Sequence, residues 1–463
     1  MSRIVAQYVP IEIALLGLFE LVLSFALIYV MMSAPGGFAA LTLAPPKLSH
    51  GGINMAALLA LTIAGTAATI GLYRPAVCVD GRRLLISATV TGIVAFPAIL
   101  LVCGGLHVVL NGHVVAWLSQ VVAAWLLGIL VVRLLFSGLV GRRRLARRLL
   151  IIGTGERAER MLALLRGRSG QLFEPVVMPA GPGPLAFDAL RGQRIWGVVV
   201  ADDPAASSNG SPPGSPNGSL DGTLLDSKLR GIRIFSDTTF QERHLGRIDL
   251  DAITETWLLF ADGFRSGQVS NAVKRAVDIG FSLLLLLLTL PLMVITALAV
   301  KIDSPGPVFY RQQRVGLHGK PFILFKFRSM AVDAEAGGKP RWAQRRDPRV
   351  TRVGGLIRSM RIDELPQLLN VLRGQMSMIG PRPERPHFVE QLARVIPFYN
   401  ERSYVKPGVT GWAQVNFPYG ASVEDAREKL AYDLYYTKNR SFLLDLLIMA
   451  STVRVVLFRE GAR

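Results

Sequence analysis

Two carboxylates, Asp363 and Glu364, stand side by side in the stretch RIDELPQLLN, inside a chain that is otherwise strongly basic. Adjacent acids ahead of an apolar run suit two kinds of role. One is structural. Leu365, Leu368, Leu369 and Leu372 have the spacing of a helix with one buried face, Pro366 fits a first turn, and carboxylates are favoured at a helix N-terminus. The other is chemical. Two acids can hold Mg2+, which keeps waters and takes phosphate oxygens for its remaining positions, and a carboxylate beside a bound diphosphate can attack it. The surroundings favour chemistry. Arg349, Arg352, Arg358 and Arg361 precede the pair, and Arg382 follows, fixed between Pro381 and Pro383. Guanidinium forks match phosphate oxygens, and such cations would take up the charge of a diphosphate. Upstream, PFILFKF reads as a strand with Lys326 and Arg328 on one face and Phe325 and Phe327 on the other. A solvated face is the simpler reading of those two cations; phosphate contact is the alternative.

The elements that must position these residues begin with an apolar segment. From Ile279 to Val300 there are 22 residues without a charge, roughly 33 Å as a straight helix. Pro291 lies in its middle and predicts a kink. Both flanks are basic, Lys274 and Arg275 before, Lys301, Arg311 and Arg314 after, which predicts that both ends face the same side. A broken, re-entrant helix over 274–301 satisfies both observations. A full span with a harmless kink is the alternative.

Further upstream, LLIIGTGERAERMLALL reads as strand, glycine turn and helix, with Gly153, Gly155 and Ala158 in a GxGxxA pattern. The acid that should follow the second strand and hold a ribose is missing: PVVM, 175–178, runs into PAGPGP, and Glu174 lies at the strand's wrong end. A structural Rossmann-like fold is therefore expected over 142–262, with a disordered insertion near 205–222 where AASSNGSPPGSPNGSLDG has few apolar residues. Before it, apolar runs near 11–32, 53–73, 84–106 and 114–140 are each long enough to cross about 30 Å of hydrocarbon. Arginines crowd the loop after the second run and the stretch after the fourth, so both ends of this region are expected in the cytoplasm. Glu20 and Arg133 are the charges within the runs; pairing or interfacial anchoring is simpler for Glu20 than a functional intramembrane acid.

Composition agrees. The 463 residues are 51% hydrophobic with a net charge of +19, and the mean hydropathy is +0.37. A basic, apolar chain points to anionic lipid or phosphorylated substrates, with nucleic acid as the competing partner. Two cysteines, Cys78 and Cys103, give no disulfide framework, and six scattered histidines give no zinc or histidine-catalysis pattern.

SPGPVFYRQQRVGLHGKPFILFKFRSM, RIDELPQLLNVLRGQMSMIGPRP, KPGVTGWAQVN and YDLYYTKNRSFLLDLLIM together resemble the bacterial polyprenol-phosphate hexose-1-phosphate transferases, the monotopic-type phosphoglycosyl transferases. The layout is similar to the large members, and GTGERAERM with PYGASVEDAREKLAYDLYY is most similar to the exopolysaccharide and exosortase-associated subgroup. The resemblance implies four transmembrane helices over 1–141, the Rossmann-like cytoplasmic domain over 142–262 and an α/β catalytic domain over 263–463 carrying the re-entrant helix. It implies that Asp363 attacks the sugar-bearing phosphate of a UDP-sugar, that UMP leaves, and that undecaprenyl phosphate then takes the phosphosugar to start an exopolysaccharide repeat unit. Glu364 would bind Mg2+ with Asp363 or place the second nucleophile, and Arg358 and Arg382 would hold phosphates, with Lys326 and Arg328 as weaker candidates. Where the family often has Ser-Pro at the helix break, this chain has Leu290-Pro291, so the kink is expected and a serine hydroxyl bond is not. The implied place is the bacterial inner membrane, catalytic domain in the cytoplasm, with inner-membrane lipids and not nucleic acid as partners. A homodimer is admitted. No residue selects the hexose; glucose or galactose is expected before an N-acetylated sugar. The alternative is a membrane-bound nucleotide sensor or a scaffold of a polysaccharide assembly system.

Overall fold

The structure is a computed structural model of the chain. It describes residues 11–33, 51–73, 77, 81–105, 112–145, 147–153, 155–167, 173–178, 195–201, 220–264, 267–332, 334, 347–417, 420 and 422–457. Most of the insertion expected at 205–222 lies outside these, but Leu220–Gly222 are helical. The described residues form two compact units that divide between Phe240 and Gln241.

In the first unit, the early apolar runs are helices: α1 Ile11–Ser33, α2 Gly51–Ile70, α3 Gly81–Gly105 and α4 Gly112–Leu145. Each packs on the next, and α1 closes against α4. Their shared core contains Ile28, Leu59, Ile63, Ile99, Leu118 and Trp125, with Ala56, Ala60, Ala67, Ala88 and Ala95 letting the backbones approach closely. Leu18, Val22, Leu61, Ile93, Leu101 and Leu127 point outward, as hydrocarbon requires. The two charges within the runs meet. Arg133 donates from Nε and Nη2 to the two Glu20 carboxylate oxygens at 2.7 and 2.9 Å, and from Nη1 to the Leu72 carbonyl at 2.5 Å. The Tyr73 ring covers the guanidinium.

The same unit holds a parallel sheet: β1 Arg147–Ile152, β2 Phe173–Met178, β3 Ile195–Val200 and β4 Arg233–Ser236, in the order β2-β1-β3-β4. Helices α5 Glu156–Arg166 and α6 Leu220–Leu229 connect it. The turn before α5 uses Gly153 and Gly155 at φ 145° and 92°, conformations that glycine adopts without strain. Glu174 sits at the start of β2 beside Arg148, at the end of the sheet opposite that turn.

The second unit starts at Gln241, earlier than the boundary expected at 263. The physical reason is a set of polar ties from 242–248 to later elements. Trp412 donates to the Gly246 carbonyl at 2.6 Å, Arg247 pairs with Glu428, Lys438 pairs with Glu242, and Ile248 N–H reaches the Ala431 carbonyl. Next come α7 Glu255–Phe260 and α8 Gln268–Asp303.

Helix α8 runs for 36 residues and passes through Pro291 without ending there. Hydroxyls do appear beside the proline: Thr289 bonds the Leu285 carbonyl and Thr296 the Leu292 carbonyl. A narrow face, Asp278, Ser282, Met293, Thr296 and Val300, is buried in the unit, while Leu283, Leu284, Leu287, Leu288, Ile295 and Leu298 are exposed.

The rest of the unit lies against that face. A hairpin pairs β5 Phe309–Val315 with β6 Pro321–Phe327. Helix α9 Arg352–Ser359 leads to a 3-10 turn, Ile362–Glu364, and then α10 Gln367–Leu372. Strand β7 Ser377–Ile379 pairs in parallel with β8 Gly408–Thr410. Helices α11 Pro386–Val395, α12 Trp412–Asn416, α13 Val423–Lys438 and α14 Phe442–Leu457 complete it. Both ends of α8 bond to this body. Near the start, Arg275 donates to the Val371 and Leu372 carbonyls and Asp278 accepts from Ser377 and Met378 N–H. At the end, Asp303 accepts from Val353 N–H.

Candidate active site

Asp363 and Glu364 do not open a long helix, as the leucine spacing predicts. They sit in a 3-10 turn of their own, after Arg361 in a left-handed conformation (φ 57°), and α10 begins beyond Pro366. The buried side chains of α10 are Gln367, Leu368, Asn370 and Val371, so the expected leucine face is only partly covered. The turn is tied in place by Asn370. Its amide donates to the Ile323 carbonyl and accepts from Phe325 N–H, both on β6. This fixes the turn against the strand that carries Lys326.

Both carboxylates are 8% exposed, and side-chain cations compensate their burial. Lys326 Nζ donates to Glu364 Oε1 at 3.0 Å and Arg382 Nη2 to the same oxygen at 2.9 Å. None of the described cations bonds Asp363 directly. The two acids therefore titrate apart. Burial pushes Asp363 up to about 6, with Lys326, Arg358 and Arg382 pulling the other way and Glu364 adding to the rise. Burial acts on Glu364 too, but Arg382, Lys326 and Arg361 outweigh it and hold its carboxyl well below the usual range. Lys326 is pushed down by burial against the pull of Glu364. One carboxylate is thus locked in ion pairs, while its neighbour stands buried and near cations but bonded by none of those described.

Lys326, Arg358 and Arg382 therefore join the pair, from β6, the last turn of α9 and the loop after β7. Arg328 does not. Strand β6 ends at Phe327, and the Arg328 side chain is buried at 4% exposure against the end of α8. It donates to the carbonyls of Ser304 and Pro305 and to the Ser304 hydroxyl. A Cβ on Gly306, which has φ 122°, would collide with that guanidinium. The expectation of Arg328 as a phosphate ligand is corrected: its guanidinium is taken up by the Ser304 and Pro305 carbonyls just past α8. Pro291 lies within α8 and is not among the residues gathered at the pair.

A second cluster, missed in the sequence, adjoins Arg382. Arg402 donates to the Tyr399 hydroxyl at 2.8 Å and the Arg382 carbonyl at 3.0 Å, and pairs with Asp433 at 2.7 Å. These residues come from the 3-10 segment Tyr399–Tyr404 and from α13. No local spacing joins them, so only the fold reveals the cluster. A cavity of about 20 Å3 lies among Gly316, Arg382, Glu384 and Arg402.

A family profile described as bacterial sugar transferase matches residues 269–459. The Caulobacter vibrioides UDP-glucose:undecaprenyl-phosphate glucose-1-phosphate transferase is 42% identical over 217 residues, 46% of this chain and 81% of that protein. This chain belongs to the bacterial sugar transferase family. Two further relatives of the family match longer segments. The UDP-N-acetylgalactosamine-undecaprenyl-phosphate N-acetylgalactosaminephosphotransferase of Aeromonas hydrophila is 44% identical over 235 residues, 51% of this chain and 55% of its own length. The undecaprenyl-phosphate glucose phosphotransferase of Komagataeibacter xylinus is 34% identical over 333 residues, 69% of this chain and 61% of its own. The chain thus spans between half and two thirds of the length of these two relatives. The family match takes in α8, the acid pair, the cations around it and the Arg402 cluster.

Proposed function

We propose that the chain is an undecaprenyl-phosphate hexose-1-phosphate transferase working through a covalent aspartyl phosphosugar. The Asp363 carboxylate attacks the sugar-bearing phosphorus of a UDP-sugar. A P–O bond to Asp363 forms, the bond to the bridging oxygen breaks, and UMP leaves. An oxygen of undecaprenyl phosphate then attacks the same phosphorus, frees Asp363 and gives undecaprenyl-diphospho-sugar. Glu364, held by Lys326 and Arg382, places those cations where negative charge gathers on the diphosphate, and Arg358 adds to the same field. The observation that carries this reading is the unequal state of two adjacent buried acids, one in ion pairs and one bonded by none of the described cations.

Mg2+ fits this reading. Among the described residues no cluster of three or more metal-ligating side chains occurs, but Mg2+ at phosphates needs only one or two carboxylates. Both cation bonds to Glu364 fall on Oε1, so Asp363 and Glu364 Oε2 are the donors that would hold the ion. When bound it would neutralise charge on the diphosphate.

The membrane reading has its own support. The exposed flank of α8 is continuous hydrocarbon, while both its ends bond to one small α/β body. Ends held by one body support a helix that enters and leaves by the same leaflet, a re-entrant anchor, and the proposed place is the inner membrane with the body in the cytoplasm. Undecaprenyl phosphate and a water-borne nucleotide sugar can meet at that level. The parallel sheet with its glycine turn supports a Rossmann-like domain.

The test uses the purified chain in detergent with Mg2+ and a panel of UDP-sugars including UDP-glucose and UDP-N-acetylgalactosamine. Without lipid acceptor, one donor should release UMP to about one equivalent, and rapid-quench mass spectrometry should find the sugar phosphate on Asp363. Asp363→Asn should lower transfer by at least about a thousandfold. An Asp363→Asn chain that turns over normally overturns the assignment.

A further inference from the structure

The loop that presents Arg382 has an unusual anchoring problem. Pro381 and Pro383 lack N–H groups, so on either side of Arg382 the backbone offers only acceptors. Each carbonyl from 381 to 384 is taken by a donor from elsewhere. Gly408 N–H holds the Pro381 carbonyl at 2.9 Å, and Arg314 Nη1 holds that of Pro383 at 3.1 Å. Val315 N–H holds Glu384 at 2.9 Å. The remaining carbonyl, of Arg382 itself, receives Arg402 Nη2 at 3.0 Å.

Arg402 is the side chain in this set with the most elaborate support. It is 9% exposed, its Nη1 donates to the Tyr399 hydroxyl, and the Tyr399 ring lies 5.3 Å from its Cζ. Asp433 on α13, 2% exposed, supplies the opposing charge at 2.7 Å. A buried guanidinium with a buried counter-charge is costly to keep and strongly destabilising to break. Here its outward contact is a single carbonyl, the one belonging to the residue whose guanidinium grips Glu364.

We infer that Arg402, set by Asp433 and Tyr399, is a positioning residue that fixes the direction of Arg382 toward the diphosphate of the donor. It touches no reacting atom and acts through the backbone of Arg382. A charged fork suits this task because it spans three partners at fixed angles, which a lysine cannot. The inference rests on the transferase reading above.

The test is a double-mutant cycle on the full chain in detergent, reading single-turnover UMP release from the UDP-sugar that the wild type uses. Arg402→Lys should lower the rate about tenfold or more, with the donor KM changed by less than about threefold. In an Arg382→Ala background, the same substitution should cost less than about threefold, because its effect is already lost. Full additivity of the two substitutions overturns the inference. If Arg402→Lys yields no monodisperse protein, Tyr399→Phe replaces it in the same cycle: it removes one acceptor and keeps the fork. An effect of Tyr399→Phe that vanishes with Arg382→Ala supports the inference; no effect, or an additive one, overturns it. Wild-type protein that forms no phosphosugar from any donor defeats the transferase reading itself, a different outcome.

Discussion

At the scale of the residue, charge compensation decides what each acid can do. Glu364 has two cations on one oxygen and stays ionised; Asp363 shares the burial without the bonds. Asp433 shows the same physics away from the reacting centre. Burial pushes its carboxyl up to about 6 against Arg402 and Lys429, with Glu384 adding to the rise. The native chain then binds that proton more tightly than the unfolded chain. The stability gained is full below the ordinary aspartate value of 3.8 and is lost as pH rises through about 6. Asp433→Asn cannot ionise, so between about pH 5 and pH 7 its melting midpoint should fall less than that of the wild type. Parallel slopes in thermal melts of the two proteins would refute this. Arg382 was legible in the sequence because prolines bracket it. Arg402 and Asp433 were not, since their relation exists only once α13 folds back across the loop.

Elements carry the register between those residues. Asn370, fully buried, ties α10 to β6 through Ile323 and Phe325 and also donates to Gln375. Asn370→Ala leaves the Phe325 N–H and the Ile323 carbonyl on β6 without that partner, a loss of about 1–3 kcal/mol. Thermal unfolding should report it, and activity should fall more than stability because Lys326 and Glu364 lose their alignment. A variant as stable and active as the wild type would remove Asn370 from the account. Periodicity identified the strand, the membrane helices and the glycine turn. It misjudged α10, where a proline and a left-handed Arg361 separate a 3-10 turn from a short helix. It also overextended β6 to Arg328. Short elements are shaped by tertiary contacts that a repeat pattern does not contain.

For the whole molecule, composition and run length revealed a membrane protein of several parts, and the catalytic motifs revealed the family. The boundary of the second unit was hidden, because segment 241–262 has neither a long apolar run nor a motif and is held by scattered polar ties. The topology of α8 is a prediction at this scale. In a chain stripped of Cys78 and Cys103, cysteines introduced at Ser270, in the first turn of α8, and at Lys320, in the turn between β5 and β6 that follow it, both exposed, should react with a membrane-impermeant maleimide from the same side of sealed vesicles. Labelling from opposite sides would reject the re-entrant anchor.

The ion pair between Glu20 and Arg133 has a consequence for synthesis. The acid leaves the ribosome first, and its partner follows 113 residues later. A lone carboxylate in hydrocarbon is expensive. The opening helix must therefore wait, protonated or sheltered by the insertion machinery, until the fourth arrives. Biogenesis of this region finishes by recruiting its earliest segment last, and a chain cut short before Arg133 should be left to quality control.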